Sequence, residues 1–371
     1  MAKKKNNKRT RRPRGAARAK PLPKRNNNKI SVSPAGREFL KCALAAPDFS
    51  VSAFAGVPDE YSGRVLTKRY ETTASLGVYG SAGNDLYIMS SNCPGIAFFV
   101  LSRAAGSVGA GTWAAVEYPD TNSLLPQGAA ATNVTSFRFA SSQLEIVNLT
   151  NAMSWTGSIQ VFRSYVHASS VNEPVTGAVG GTSLRLAIVG DQVINSVKPE
   201  LVMPFNNGCY AVARNVEPDY PFRDVIPDME LADLYQLPTT LFQTASQSGV
   251  QFCGFGTMET IIYKIPAYSV TGNVGLIRAW ACVEYQVDSS SVLYDYSHMS
   301  PAYDPIALAL MREFTKVMPP GVTFADNASF WKAFLAWAST AANALAPVAG
   351  PYGGLLSSVG AVAAATSVLL K

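Results

Sequence analysis

Between residues 52 and 300 the chain is written as short apolar runs separated by Gly, Ser, Asn and Pro. This pattern restricts the fold more than any other feature. The runs are Leu86–Met89, Ile96–Leu101, Ser136–Phe139, Gln143–Val147, Ser158–Phe162, Ser183–Val189, Met258–Tyr263 and Leu276–Tyr285. Several alternate in twos, as in Phe137/Phe139 and Leu144/Ile146, which is the period of a strand with one buried face. A doubly wound α/β fold needs repeated helical crossovers, and this stretch shows none. About eight strands with uneven, sometimes long connections predict an all-β Greek-key sandwich or jelly roll.

Helical patterns flank this region. Ser33 and Pro34 read as an N-cap and first helical position, and Phe39, Leu40, Ala43 and Leu44 follow at helical spacing. Pro47 stops that helix, with Asp48 just beyond it. Pro305–Val317 forms a second helix, stopped by Pro319 and Pro320. A third is amphipathic from Ser329 to Ala346, with Asp326 or Asn327 as its cap. Phe330, Phe334, Trp337, Ala341 and Leu345 share one side, with Trp331 and Leu335 alongside. No charged residue occurs from Ala333 to Leu370. The last run, Leu355–Leu370, is too short and too rich in Gly and Ser for a membrane span. The uncharged end with its two tryptophans instead resembles a peptide that lies in a bilayer interface, the other reading being a helix buried on the sandwich.

Charge is split along the chain. Residues 1–29 hold thirteen Lys/Arg and no acid, while the other 342 residues hold 18 bases against 25 acids. The formal +6 is therefore a basic arm on a body at −7. The arm has almost no apolar surface to offset its conformational entropy, so it does not fold alone. Its cations (Lys3, Lys4, Lys5, Lys8, Arg9, Arg11, Arg12, Arg14, Arg18, Lys20, Lys24 and Arg25) suit nucleic-acid phosphates, the other reading being a nuclear-localisation or solubility tail. Without interleaved aromatics they contact the backbone rather than stack on bases. Charged residues are only 15% of the chain, which suggests a body whose surface is largely covered by other protein.

Several chemistries are excluded. Two histidines, His167 and His298, do not make a multi-His metal centre, and no GxxxxGK[ST], GxSxG or HExxH motif occurs. Cys42, Cys93, Cys209, Cys253 and Cys282 form no CxxC and read as reduced, buried thiols. The N-terminus runs into bases rather than an apolar segment, so no secretory signal is expected. Among acids, Asp191, Glu217, Asp219, Asp224 and Asp228 could offer hard oxygen ligands, or simply a solvated loop. Asp48 beside Ala45, Ala46, Pro47 and Phe49 would titrate high if buried. Asn327–Ala328 would permit cleavage by the Asn side-chain amide, with a carboxyl moving the proton to the leaving amine. Nothing in the spacing brings Asp48 and Asn327 together.

An ordered set of motifs carries a resemblance. Gly36–Phe49, Gly56–Asp59, Ser136–Ser141, Glu217–Tyr220, Ala279–Tyr285 and Asn327–Trp331 resemble, in order, the capsid protein precursors of insect nodaviruses. The similarity runs from about residue 33 to the C-terminus; the basic arm matches in character only. The resemblance implies an eight-stranded antiparallel jelly-roll β-sandwich with an inner helical subdomain from both chain ends. It implies a T=3 icosahedral shell of many copies around positive-strand viral RNA, assembled in the host cytoplasm into a virion. It also implies self-cleavage at Asn327–Ala328 with Asp48 as the catalytic carboxyl. The freed residues 328–371 would act on a host membrane through Phe330, Trp331, Phe334 and Trp337. Calcium would bind at subunit contacts through Asp191 and Asp219. Where the family can carry an aspartate before Ser-Phe-Arg, this chain has Thr132 and Asn133, and another family carboxylate falls near Asp228.

The expected division is an arm at 1–29, an inner helical segment at 30–50 and a shell domain at 51–304. A second inner segment follows at 305–327 and the released peptide at 328–371. Two other readings are a coat that does not cleave and a cellular β-sandwich binding module with a basic tail.

Overall fold

The computed structural model describes residues 32–44, 55–105, 112–119, 134–149, 157–164, 167–171, 183–187, 198–217, 219–224, 241–243, 256–268 and 275–323. All of them lie within one compact unit, Ser31–Lys371. The arm, Asp48, Asp191, Asn327, Ala328 and the whole of 328–371 fall outside the described residues.

Two β-sheets face each other. The first contains β1 (Arg64–Ser75), β5 (Val134–Asn148), β10 (Cys209–Val212), β11 (Arg223–Asp224), β14 (Gly275–Val287) and β15 (His298–Met299). Its order is β10-β5-β14-β1-β15, with β11 also paired to β5. The second contains β2 (Asn84–Ser90), β3 (Ile96–Ala104), β4 (Thr112–Glu117), β6 (Ser158–Ser164), β9 (Leu201–Pro204), β12 (Leu241–Gln243) and β13 (Thr260–Tyr268). Its order is β12-β4-β3-β2-β13-β6-β9. All pairs in both sheets are antiparallel except β12 with β4. A separate hairpin joins β7 (His167–Val171) to β8 (Ser183–Ala187).

The expected eight runs thus give way to fifteen strands among the described residues. Ser136–Phe139 and Gln143–Val147 are one strand, β5, whose pairing to β14 shifts register between Cys282 and Val283. That bulge interrupts the period of two, so the sequence reads as two strands. β1 was not expected because Arg64, Lys68, Arg69 and Glu71 break its apolar pattern. Ten residue pairs to β14 hold it regardless.

The inner faces of the sheets enclose the main core. Phe98, Phe137, Phe139, Leu144, Ile146, Ile261, Tyr263, Ile277 and Tyr285 are buried there. Each such side chain contributes roughly 1.5–3 kcal/mol by leaving water. Tyr70 and Tyr285 join their hydroxyls at 2.7 Å inside it, as buried phenols require.

The helices are few. α1 (Pro34–Leu44) and α3 (Pro305–Val317) match the expected starts at Pro34 and Pro305, and α2 (Leu76–Tyr79) is a single turn. α1 and α3 pack beside each other on the outer face of the first sheet. Phe39, Leu40, Leu44, Ile306, Leu310, Met311 and Phe314 meet Ala140, Tyr210, Val212 and Trp280 there, forming a second apolar layer. β5 is consequently buried on both faces, which explains its near-continuous burial. Among the described residues no helix is long and apolar enough to cross a membrane.

Candidate functional site

Leu44 and Thr323 are four residues away in sequence from Asp48 and Asn327, which lie outside the described residues. The structure defines the frame on the near side of both. Leu44 and Val322 belong to the same apolar layer.

Ser33 and Asp304 lock the two helices together. Ser33 Oγ accepts from the Gly36 amide at 2.9 Å, as expected of an N-cap. Asp304 Oδ1 accepts from Ile306 and Ala307 at 3.1 and 3.0 Å, capping α3. Its other oxygen, Oδ2, accepts from the Ser33 amide at 2.6 Å, so one carboxylate serves both helix starts. Gly36 makes this approach possible. A Cβ there would lie 2.4 Å from Asp304 Oδ2 and 2.9 Å from the Ala307 Cβ.

The far end of α1 is tied to the sheet. Gln143 Nε2 donates to the Cys42 carbonyl at 2.9 Å, one of the carbonyls a helix end leaves open. Cys42 and Cys282 form a disulfide, which corrects the expectation of reduced thiols for this pair. The two are 240 residues apart in sequence, and only the packing of α1 on β14 brings them together. Cys93 and Cys209 are buried thiols outside this disulfide, and burial pushes the Cys209 thiol up to about 12.

The stretch after α3 is fixed in turn. Arg163 Nη2 donates to the Pro319 carbonyl at 2.6 Å. Val322 and Tyr210 exchange both backbone hydrogen bonds at 2.8 Å, which extends the first sheet past β10. Gly321 sits so close to β10 that a Cβ would lie 2.9 Å from Cys209 Sγ.

A buried ionic hub anchors residues 57–59. Arg138 on β5 donates to Glu284 on β14 through Nε and Nη2, at 2.9 and 3.0 Å. It also binds both oxygens of Asp59 and the Tyr220 carbonyl. All five of its N–H groups are used. Tyr220 adopts a left-handed backbone, uncommon for a bulky residue, and presents that carbonyl. Glu284 accepts from the Val57 amide at 2.9 Å, and the Pro58 carbonyl accepts from the Asp304 amide. The hub therefore connects β5, β14, residues 57–59 and the cap of α3. Burial pushes the Glu284 carboxyl above its usual range, against the pull of Arg138. Burial alone would lower Arg138, but Glu284 and Asp59 outweigh it and hold the guanidinium above its ordinary value. Sequence reasoning did not single out this hub. Its signal was present: an arginine inside Ser136–Phe139 and a glutamate inside Leu276–Tyr285, both in otherwise apolar strands.

Of the predicted site residues only Asp219 is described. It is exposed, and Arg312 Nη2 donates to its Oδ1 at 2.6 Å. Asp219 as it stands is an arginine's partner, and no group of three or more His, Cys, Asp or Glu among the described residues could hold a metal ion. Asp48, Asn327, Ala328, Asp191, the arm's cations and Phe330, Trp331, Phe334 and Trp337 lie outside the described residues.

Known proteins extend this picture. The chain is 30% identical over 348 residues to capsid protein alpha of Flock house virus, covering 90% of this chain and 84% of that protein. It is 29% identical over 360 residues to capsid protein alpha of Pariacoto virus, covering 91% and 88%. Among solved structures, the infectious bursal virus derived T=1 particle aligns with a TM-score of 0.48 and 10% identity, over 80% of this chain and 96% of that one. Residues 32–368, nearly the whole span beyond the basic arm, match the Peptidase A6 family. With that match and those nodavirus relatives, the chain belongs to the Peptidase A6 family.

Proposed function

We infer that this chain is a viral coat-protein precursor that assembles copies of itself into a shell and cleaves itself once. One observation carries the cleavage reading. The helices α1 and α3 are locked together, and Leu44 and Val322, close in sequence to Asp48 and Asn327, belong to the one apolar layer they form. Four residues span at most about 14 Å, so chain length alone limits how far each candidate can lie from that layer.

In this reading the Asn327 side-chain nitrogen attacks the Asn327 carbonyl carbon. The Asn327–Ala328 C–N bond breaks, and Asp48 carries the proton to the leaving Ala328 amine. The reaction is a single turnover in cis. Burial near this layer would keep Asp48 able to hold a proton near neutral pH. The Asp48→Asn chain should assemble with wild-type yield and stay uncleaved. Denaturing gels of ageing particles read the outcome: a fragment with the mass of residues 328–371 should appear in wild type only. Normal cleavage in the variant would remove Asp48 from the mechanism.

The strand order supports the jelly-roll assignment. β1, β2, β5, β6, β9, β10, β13 and β14 place the first, eighth, third and sixth strands in one sheet and the second, seventh, fourth and fifth in the other. Two nested Greek keys give that order. The remaining strands are then additions to its edges and connections. The reading extends to a T=3 shell assembled in the host cytoplasm, with residues 1–29 on RNA and 328–371 delivered to a membrane. Calcium at subunit contacts is part of it only if Asp219 exchanges Arg312 for the ion and joins Asp191. A chelator that leaves particle melting unchanged would delete calcium.

A further inference from the structure

We propose that residues 292–303, at the β15 edge of the first sheet, form a contact with a second copy of this chain. The inference rests on the coat reading and adds to it the surface through which neighbours meet. Val292 is 78% exposed, Tyr296 76%, Met299 61% and Tyr303 53%. Four large apolar side chains so exposed within twelve residues are unusual on a surface that faces only water.

The segment is tied to its surroundings by several hydrogen bonds. Arg64 Nε donates to Ser297 Oγ at 2.9 Å and Nη2 to the Ser297 carbonyl at 2.6 Å. The same guanidinium lies 4.9 Å from the centre of the Tyr294 ring. Ser291 Oγ accepts from the Leu293 amide at 3.1 Å, and Ser297 Oγ donates to the Tyr294 carbonyl at 2.6 Å. The Ser300 amide donates to the Gly63 carbonyl at 2.9 Å, beside the β1–β15 pairing of Arg64 with Met299. Exposed aromatic and Met side chains on a preorganised backbone lose little entropy on docking, which is the character of an interface anchor.

Its place in the fold selects the partner. One face of the first sheet opposes the second sheet, and the other carries α1 and α3. The β10 edge is extended by the chain's own Val322. The β15 edge is the opposite, lateral one. In a shell made from many copies, subunits meet side by side, so a lateral apolar edge faces a neighbouring copy.

Hydroxyl-radical footprinting of the full chain tests this directly. Tyr296 and Met299 should be oxidised in dissociated subunits and labelled at least about fivefold less in intact shells. Equal labelling in the two states overturns the proposal. Tyr296→Asp with Met299→Lys should give folded subunits and at least about tenfold fewer shells. If the double variant does not fold, Tyr296→Ser alone should raise the protein concentration needed for assembly. Shells forming at wild-type yield from either variant would overturn the proposal, even with altered attachment to cells. If the wild-type chain forms no shells at all, the coat reading fails first and takes this inference with it.

Discussion

Arg138 is where a single side chain does most to hold the frame. It lies in a strand buried on both faces and serves two carboxylates, one of which, Glu284, has no exposure at all. Arg138→Met would remove the cation and leave those acids facing each other. The expected loss is about 3–5 kcal/mol in denaturant unfolding of the full chain, the usual cost of orphaning a buried charge. Proton linkage gives a second readout. Because the folded Glu284 carboxyl is raised from its ordinary 4.5, its contribution is fully present below that value. It is lost as pH rises through the raised folded value. The stability of wild type relative to Glu284→Gln should therefore improve as pH falls through that window. A pH-independent difference would count against the raised carboxyl. The hub was only half legible. A charge in an apolar run is visible in the sequence, but which partners neutralise it depends on strands 146 residues apart.

At the scale of elements, the decisive junction is α1 against α3. Gly36→Ala would place a methyl group against Asp304 and Ala307. The helices would have to separate, costing about 1–3 kcal/mol as for other overpacked contacts. Cleavage should slow with it if the frame positions the reacting segments, and both effects can be measured on the same preparation. An unchanged melting temperature would show that the junction is looser than the structure indicates. The helix starts were legible, since Ser33, Pro34 and Pro305 are local signals read within one turn. The shared cap was not, because Ser33 and Asp304 are 271 residues apart. The disulfide was hidden for the same reason, and the lack of a CxxC pattern pointed away from it.

For the whole molecule, the sequence divides into an arm of one charge sign and a body of the other. Deleting residues 1–29 should leave the folded body and reduce the RNA recovered with particles. The residual binding should lose most of its dependence on salt, because few cations then displace counterions. RNA content unchanged by the deletion would assign packaging to the body. The low charge of that body now has a structural counterpart. One face of the first sheet is covered by the chain's own helices, and one lateral edge carries exposed apolar anchors.

The sequence by itself determined the class of strands, the two long helices and the split of charge, because each is set by neighbours within a few residues. It also carried the family motifs in order. The tertiary structure decided what those pieces do together. It fused two apparent strands across a bulge, paired a charged β1 with β14, and joined Cys42 to Cys282. It closed Arg138 around two acids and placed both chain-end helices on one face. Each of these follows from contacts between residues far apart in the chain. Local propensity and spacing carry no information about such contacts until the sheets have formed and their faces have been assigned.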